Sequence, residues 1–318
     1  MTYENTISEK IIKLGTRGSD LALWQAKSVA SQLGVDTETC IIQTTGDRFM
    51  DFQLQSQPMP GFFTKEIETQ LLAGEIDLAV HSLKDVPTQI HPNLILAAYL
   101  PRAAANDLLL IHPDWYDPKA IVPLKSGCKV GASSLRRQAL LRLYAPQVRL
   151  TMLRGNVPSR IEKCKSGEYG AIVLAQAGVE RLELQVSPLL AYQLNPKIWV
   201  PAPGQGVIVV QIRRYHRELI ELVKKMDDSF TRESVIIERQ LLANFQGGSF
   251  TAVGVYVLPV ADKWDVYIGL AQPDKGWGQI FLSQQTSAQI SQIKPATIGA
   301  FVPFPVEKKE SLCTSIPL

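Results

Sequence analysis

The chain has 318 residues, of which 46% are hydrophobic and 20% charged, with a formal net charge of +3. That is enough apolar material for two or three folded domains, and the charge balance fits neither a disordered chain nor a nucleic-acid binder. Cys40, Cys128, Cys164 and Cys313 form no C-x-x-C pair, so reduced thiols in a cytoplasmic protein are expected, with no metal site, no disulfide framework and no membrane span.

Met1 to Lys10 is polar and acidic, without the apolar core of a signal peptide. Ile11 to Thr16 reads as a short strand. Arg17-Gly18-Ser19-Asp20 turns out of it, with Ser19 or Asp20 placed to cap the helix that follows. Ala22, Ala26, Val29 and Leu33 recur at helical spacing, and Gly34 suits the position after the helix. An arginine before a helix N-terminus makes an anion site; taken alone, a capped helix with a surface arginine is the simpler reading.

Thr37 to Thr45 alternates like a strand. Gly46 to Gly61 is a long irregular loop of the kind that forms lids or disordered segments. Phe63, Ile67 and Leu71 mark a second helix that ends near Gly74. Ile76 to Pro87 opens as a short apolar run and reads as a buried parallel strand. Ligands collect beyond the carboxyl ends of such strands, where Lys84 and Asp85 stand. Two readings are level here: a tuned acid–base group, or a solvated ion pair of little consequence.

Leu94 to Leu100 is a further strand, and Pro101 to Asn106 crosses to a second α/β unit with strands at Asp107–Ile111 and Lys129–Ala132. Ser133 and Ser134 suit an N-cap. Arg136 and Arg137 then fall in a first turn, where cations oppose the helix dipole and call for an offsetting anion; a surface helix with a basic edge is the plainer alternative. After a strand at Val148–Leu153, Arg154 and Arg160 bracket another helix start. Ala171 to Leu174 leads to a short helix carrying Arg181. Arginines at three strand-to-helix turns point to a polyanionic ligand, since guanidinium grips carboxylates with a fork that Lys lacks.

Val200 to Gly206 is a rigid connector, and Val207 to Ile212 is a strand that returns the chain to the first sheet. A separate C-terminal unit starts near Ser229 with a helix to Phe245, then strands near 252–258, 263–271 and 277–285. The Pro-containing tail from Lys294 is expected to be ordered only in part.

Five stretches in register resemble the porphobilinogen deaminase, or hydroxymethylbilane synthase, family. They are Thr16-Arg17-Gly18-Ser19 with Leu21-Ala22-Leu23-Trp24-Gln25, Val80 to Pro87, Ser133 to Gln138, Leu153-Arg154-Gly155-Asn156-Val157, and Pro203-Gly204-Gln205-Gly206. The resemblance runs from about residue 11 to 290. It implies an α/β fold with two lobes like those of type II periplasmic binding proteins and an active cleft between them, plus a small α/β (α+β) C-terminal domain. The expected boundaries are 10–104 with 205–226, then 105–204, then 227–318. It also implies a monomeric enzyme that joins four porphobilinogen units into hydroxymethylbilane, releasing ammonia, on a dipyrromethane cofactor thioether-linked to a cysteine of the third domain.

Carried over, Asp85 would be the catalytic acid/base. Lys84, Ser134, Arg136 and Arg137 would hold the cofactor's carboxylates, and Arg17, Ser19, Arg154, Arg160 and Arg181 those of incoming substrate. The partners are thus polycarboxylate pyrroles, not nucleic acid or membrane. Three departures stand out. The attachment cysteine is replaced by Ser249 in Gly247-Gly248-Ser249, Pro60 stands where the family has a basic residue, and the crossover reads Ala103-Ala104-Ala105-Asn106. A serine hydroxyl needs a neighbouring base to act as nucleophile, so a covalent cofactor is disfavoured. Three functions compete: an active deaminase with an altered cofactor arrangement, a catalytically silent binder of a pyrrole or other polycarboxylate, and a transporter's solute-binding protein, which needs a secretion signal.

Overall fold

The computed structural model describes residues 11–48, 63–245, 252–272, 276–294 and 312–318. The Gly247-Gly248-Ser249 segment, Pro60 and most of the expected 46–61 loop lie outside them. The chain packs as two compact units, one of residues up to Arg102 with Val207–Arg232, the other of Ala103–Gly206 with Glu233–Leu318.

The first unit begins with β1 (Ile12–Thr16), α1 (Asp20–Leu33), β2 (Thr37–Ile41), α2 (Thr45–Arg48), α3 (Lys65–Ala73), β3 (Leu78–Ser82) and β4 (Leu94–Tyr99). Ser19 caps α1 through its side chain, and Gly34 ends it in the left-handed conformation, as the spacing of apolar residues predicts. The expected strand over Thr37–Thr45 is shorter and stops at Ile41. Thr44 and Asp47 explain why. The Thr44 backbone N–H and hydroxyl both donate to the Asp47 carboxylate, at 3.2 and 2.7 Å, and this local alternative bends the backbone into the one-turn helix α2.

The chain then makes the second unit's β5 (Asp107–Ile111), β6 (Lys129–Gly131), α4 (Leu135–Tyr144), β7 (Arg149–Thr151), α5 (Val157–Lys165), β8 (Ala171–Ala175), α6 (Gln176–Arg181) and β9 (Leu190–Leu194). It returns to the first unit with β10 (Ile208–Arg213) and α7 (Arg217–Lys224). Helix α8 (Ser229–Phe245) leads back to the second unit, which closes with β11 (Val253–Val260), β12 (Lys263–Gln272), β13 (Gly276–Gln285), α9 (Ser287–Ser291) and β14 (Cys313–Ser315).

The two larger sheets share one topology. The first has the order β2-β1-β3-β10-β4. β1 is parallel to β2 and β3, while β10 runs antiparallel between β3 and β4. The second reads β7-β6-β8-β5-β9, with β14 added beyond β9. There β6 is parallel to β7 and β8, and β5 is antiparallel to both its neighbours. Each sheet thus has a 2-1-3 parallel set followed by one reversed strand next to a chain crossover. That is the type II periplasmic-binding-protein lobe, twice. β3 is therefore parallel to only one of its neighbours, not to both.

Each sheet is buried where its sequence is apolar. Leu14, Leu78, Val80, Val210 and Ile212 share a core with Ala26 and Val29 of α1. In the second unit, Leu109, Val130, Leu140, Val173 and Trp199 form the main core, together with Tyr267, Trp277 and Leu312. The antiparallel sheet β11-β12-β13 keeps a further core with α8, built on Ile237, Leu241, Val255, Val266 and Ile268. β14 was not expected from the tail's composition; it pairs antiparallel with β9, Cys313 opposite Leu194.

Candidate functional site

In both larger sheets the residues singled out by sequence follow the carboxyl ends of the parallel strands. Arg17 and Ser19 follow β1, Lys84 and Asp85 follow β3, Ser134, Arg136 and Arg137 follow β6, Arg154 and Arg160 follow β7, and Arg181 closes the helix after β8. This is the edge at which open α/β sheets bind ligands.

In the first unit Asp85 is the last residue of a 3₁₀ turn, Leu83–Asp85, directly beyond β3. It is half-buried, and Lys84 beside it is exposed. The turn is pinned by the Leu83 amide, which donates to the Val207 carbonyl at 3.0 Å. One strand position back from Ser82, His81 is buried and its Nε2 lies 3.2 Å from Gln211 Oε1. Burial pushes its pKa down to about 4, against the Gln211 hydrogen bond, which favours the charged form. His81 is therefore neutral at physiological pH and adds no charge beside Asp85.

Arg17 is already held. Its Nε donates to Asp47 Oδ1 at 3.1 Å, the two form an ion pair, and its guanidinium carbon lies 4.4 Å from the centre of the Phe63 ring. Burial raises the Asp47 carboxyl, but the hydrogen bonds from Arg17 and Thr44 outweigh it and hold the pKa below its ordinary value. The Ser19 hydroxyl oxygen is occupied as the α1 cap, accepting from the Ala22 amide at 3.4 Å.

In the second unit the anion that offsets Arg136 and Arg137 is supplied by the chain itself. Asp107 is fully buried at the start of β5. Its Oδ2 accepts from Arg136 Nη2 at 2.8 Å and Trp199 Nε1 at 3.0 Å. Its Oδ1 accepts from Arg137 Nη2 at 2.7 Å and Gln205 Nε2 at 2.9 Å. Burial raises the Asp107 pKa, but the two guanidinium groups outweigh that and hold it far below the usual carboxylate range. The offsetting anion called for by Arg136 and Arg137 is thus internal, and the pair forms an interior cluster of two cations and one anion, not the basic surface edge that was the plainer alternative. Arg136 also donates to the Val200 carbonyl at 2.9 Å and Arg137 to the Val173 carbonyl at 3.1 Å. Both Nε atoms are buried without a partner among the described residues. Ser134 holds the N-cap position of α4 but makes no side-chain cap bond.

Arg154 is exposed and Arg160 half-buried. Arg160 Nε donates to the Gly155 carbonyl at 2.7 Å. Burial, reinforced by the positive fields of Arg137 and Arg154, pushes the Arg160 pKa down to about 10; it stays a cation at neutral pH. Three guanidinium groups therefore share one electrostatic neighbourhood. Arg181 donates to the Gly206 carbonyl at 2.7 Å, and burial lowers its pKa to about 10. Gly206 has φ +86, and a Cβ there would lie 2.6 Å from the Ala103 carbonyl oxygen, so this part of the connector admits no side chain.

Asp107, Asp47, Trp199 and Gln205 were missed as site residues in the sequence. Gln205 alone carried a signal, its place in Pro203-Gly204-Gln205-Gly206. Asp107 is separated from its partners by between 29 and 98 positions, so no local pattern shows it. None of the four cysteines forms a disulfide. Cys128, Cys164 and Cys313 are buried and Cys40 is partly so. Burial pushes the Cys128 and Cys164 thiols up to about 12. Among the described residues no helix is long and apolar enough to cross a membrane.

The sequence model described as "Porphobilinogen deaminase, dipyromethane cofactor binding domain" matches residues 12–221, a span that takes in every candidate residue except Ser249. The porphobilinogen deaminase of Syntrophomonas wolfei is 41% identical over 244 residues, covering 74% of this chain and 77% of its own. The probable porphobilinogen deaminases of Ignicoccus hospitalis and Methanocella arvoryzae are each 40% identical, over 76% and 80% of this chain and 80% and 82% of theirs.

Proposed function

We propose, from the fact that this chain belongs to the porphobilinogen deaminase family, that it is a hydroxymethylbilane synthase, joining four porphobilinogen units head to tail with one ammonia released at each coupling. The observation that carries this reading is the placement of one half-buried acid and a set of arginines at the ligand-binding edges of two sheets of the same topology.

The residues present fit a carboxylate-rich group. Each pyrrole of porphobilinogen and of dipyrromethane brings two carboxylates. Arg154 and Arg160 are cations with no acidic side chain bound to them among the described residues, and the Ser134 hydroxyl is not spent on capping. When bound, dipyrromethane supplies the pyrrole carbon to which the first unit is added. Arg154, Arg160 and Arg181 take the carboxylates of incoming substrate, joined by Arg17 and Ser19, both already engaged within the chain. Ser134 and Lys84 take those of the cofactor. Arg136 and Arg137 act there through the fixed positive field of their Asp107-bound pair. Asp85 gives a proton to the departing amine and then stabilises the positive charge that develops on the substrate pyrrole. The protein works as a monomer in the cytosol.

The second reading, a silent or altered relative, is favoured by Ser249. Cys128, Cys164 and Cys313 are buried, and none of them offers an accessible thiolate in its place. We propose that dipyrromethane, where present, is held without a covalent bond. The test is incubation of the purified protein with porphobilinogen, with an assay for linear tetrapyrrole and intact-mass measurement after denaturation. The expected result is product formation by a protein whose denatured mass is that of the bare chain. A mass raised by one dipyrromethane overturns the non-covalent arrangement; absence of product selects the silent relative.

A further inference from the structure

We propose that Gln25 and Ser82 are positioning residues for Asp85, a reading that rests on the acid–base role given to Asp85 above. Ser82 sits at the N-cap of the Leu83–Asp85 turn, yet its side chain caps nothing there. It faces α1 instead. Gln25 Nε2 donates to Ser82 Oγ at 2.9 Å, and Ser82 Oγ donates back to Gln25 Oε1 at 3.2 Å.

Gln25 is 2% exposed, on the face of α1 that otherwise buries Ala22, Ala26, Val29 and Leu33. A buried amide on an apolar face costs free energy unless both its ends are bonded, and here one hydroxyl satisfies both. On the other side of the turn, the Leu83 amide is fixed to the Val207 carbonyl and the Leu83 side chain is fully buried. The Val86 amide closes the turn on the Leu83 carbonyl at 3.1 Å. Asp85 thus follows these ties by only two or three residues, one from helix α1 and one from Val207, just before β10. Without the hydroxyl, the turn loses its tie to α1 and the Gln25 amide is left buried and unbonded. A shift of about 1 Å in a reacting group costs on the order of 100-fold in rate, so the latch bears on turnover and not only on folding.

The test uses the full chain with Ser82→Ala and, separately, Gln25→Leu. One readout, amide hydrogen exchange of the 83–86 segment, needs no turnover; the others are kcat and KM for porphobilinogen. The expected result for each variant is faster exchange confined to that segment, a fall in kcat of at least about tenfold and KM within a factor of about two. The double variant should be no worse than the poorer single one, because both break the same latch. The proposal is overturned if either variant keeps wild-type exchange and wild-type kcat, or loses kcat only in proportion to unfolded protein. Wild-type protein that turns over no porphobilinogen defeats the acid–base role, while the exchange measurement still decides the latch.

Discussion

Asp85 and Asp107 are both carboxylates at the tips of strands, in sheets of the same topology, and the fold treats them in opposite ways. Asp107 is fully buried and accepts from two arginines, a tryptophan and a glutamine. Asp85 is half-buried, and no described residue forms a hydrogen bond or ion pair with its carboxylate. A carboxylate whose lone pairs are all taken, and whose pKa is held far down, cannot exchange protons near neutral pH; it belongs to the scaffold. One left open on a clamped turn is available to a ligand. Charge alone does not separate the two roles; the number of donors already in place does.

Substitution at each acid tests that contrast most directly. Asp85→Asn should lower turnover of porphobilinogen by about 10²- to 10⁴-fold with an unchanged melting midpoint, and undiminished turnover would remove Asp85 from the chemistry. Asp107→Ala should do the reverse and act on the fold, since it leaves two buried guanidinium groups without their anion. A loss of about 3–5 kcal/mol is expected in urea unfolding, and a loss below about 1 kcal/mol would mean that the cluster is not the buried network described.

The strand that leads into Asp85, β3, offers a smaller effect. His81 is held neutral in the fold with its pKa near 4, whereas in the unfolded chain it titrates near the ordinary value of about 6.5. The unfolded chain therefore binds the proton first. Stability that is complete above about pH 6.5 is lost as the pH falls toward 4, by at most about 3 kcal/mol. His81→Gln should flatten the stability–pH curve in that window, and an unaltered slope would show that His81 is not buried as a neutral group. The smallest effect concerns the arginines. Arg160→Lys keeps the charge and removes the fork, so binding of a dicarboxylate pyrrole, measured by calorimetry, should weaken by about tenfold; equal affinity would argue for a diffuse field over a directed contact.

Much of this was legible in the sequence, for local reasons. Ser19 and Gly34 frame α1 because a cap and a left-handed glycine act within one turn. The β3 apolar run and the chemistry at its tip could be read together because strand and tip are contiguous. The second sheet's arginines showed themselves by their offsets from strand ends. What stayed hidden depends on distant neighbours. Asp107 looks like the first residue of a strand until Trp199 and Gln205, more than 90 positions away, are seen to close on it. Arg136 and Arg137 suggested a bound anion, and the anion proved to be internal. Asp47 lay in a segment read as loop, where the bond from Thr44 wound a turn instead. β14 follows a Pro-containing stretch with no strand pattern, and the free edge of β9 gives it its conformation.

The position of β10 also bears on how the molecule comes to be made. This strand separates β3 from β4, yet it is encoded after the entire 103–206 excursion into the other unit. Until it arrives, β3 and β4 each present a row of unpaired amides and carbonyls across a vacant slot. Closing a loop of about 100 residues onto that slot is slow on topological grounds. A nascent chain halted before Val207 would therefore offer two adhesive edges to its neighbours, one of them on the very strand that leads into the turn of Asp85.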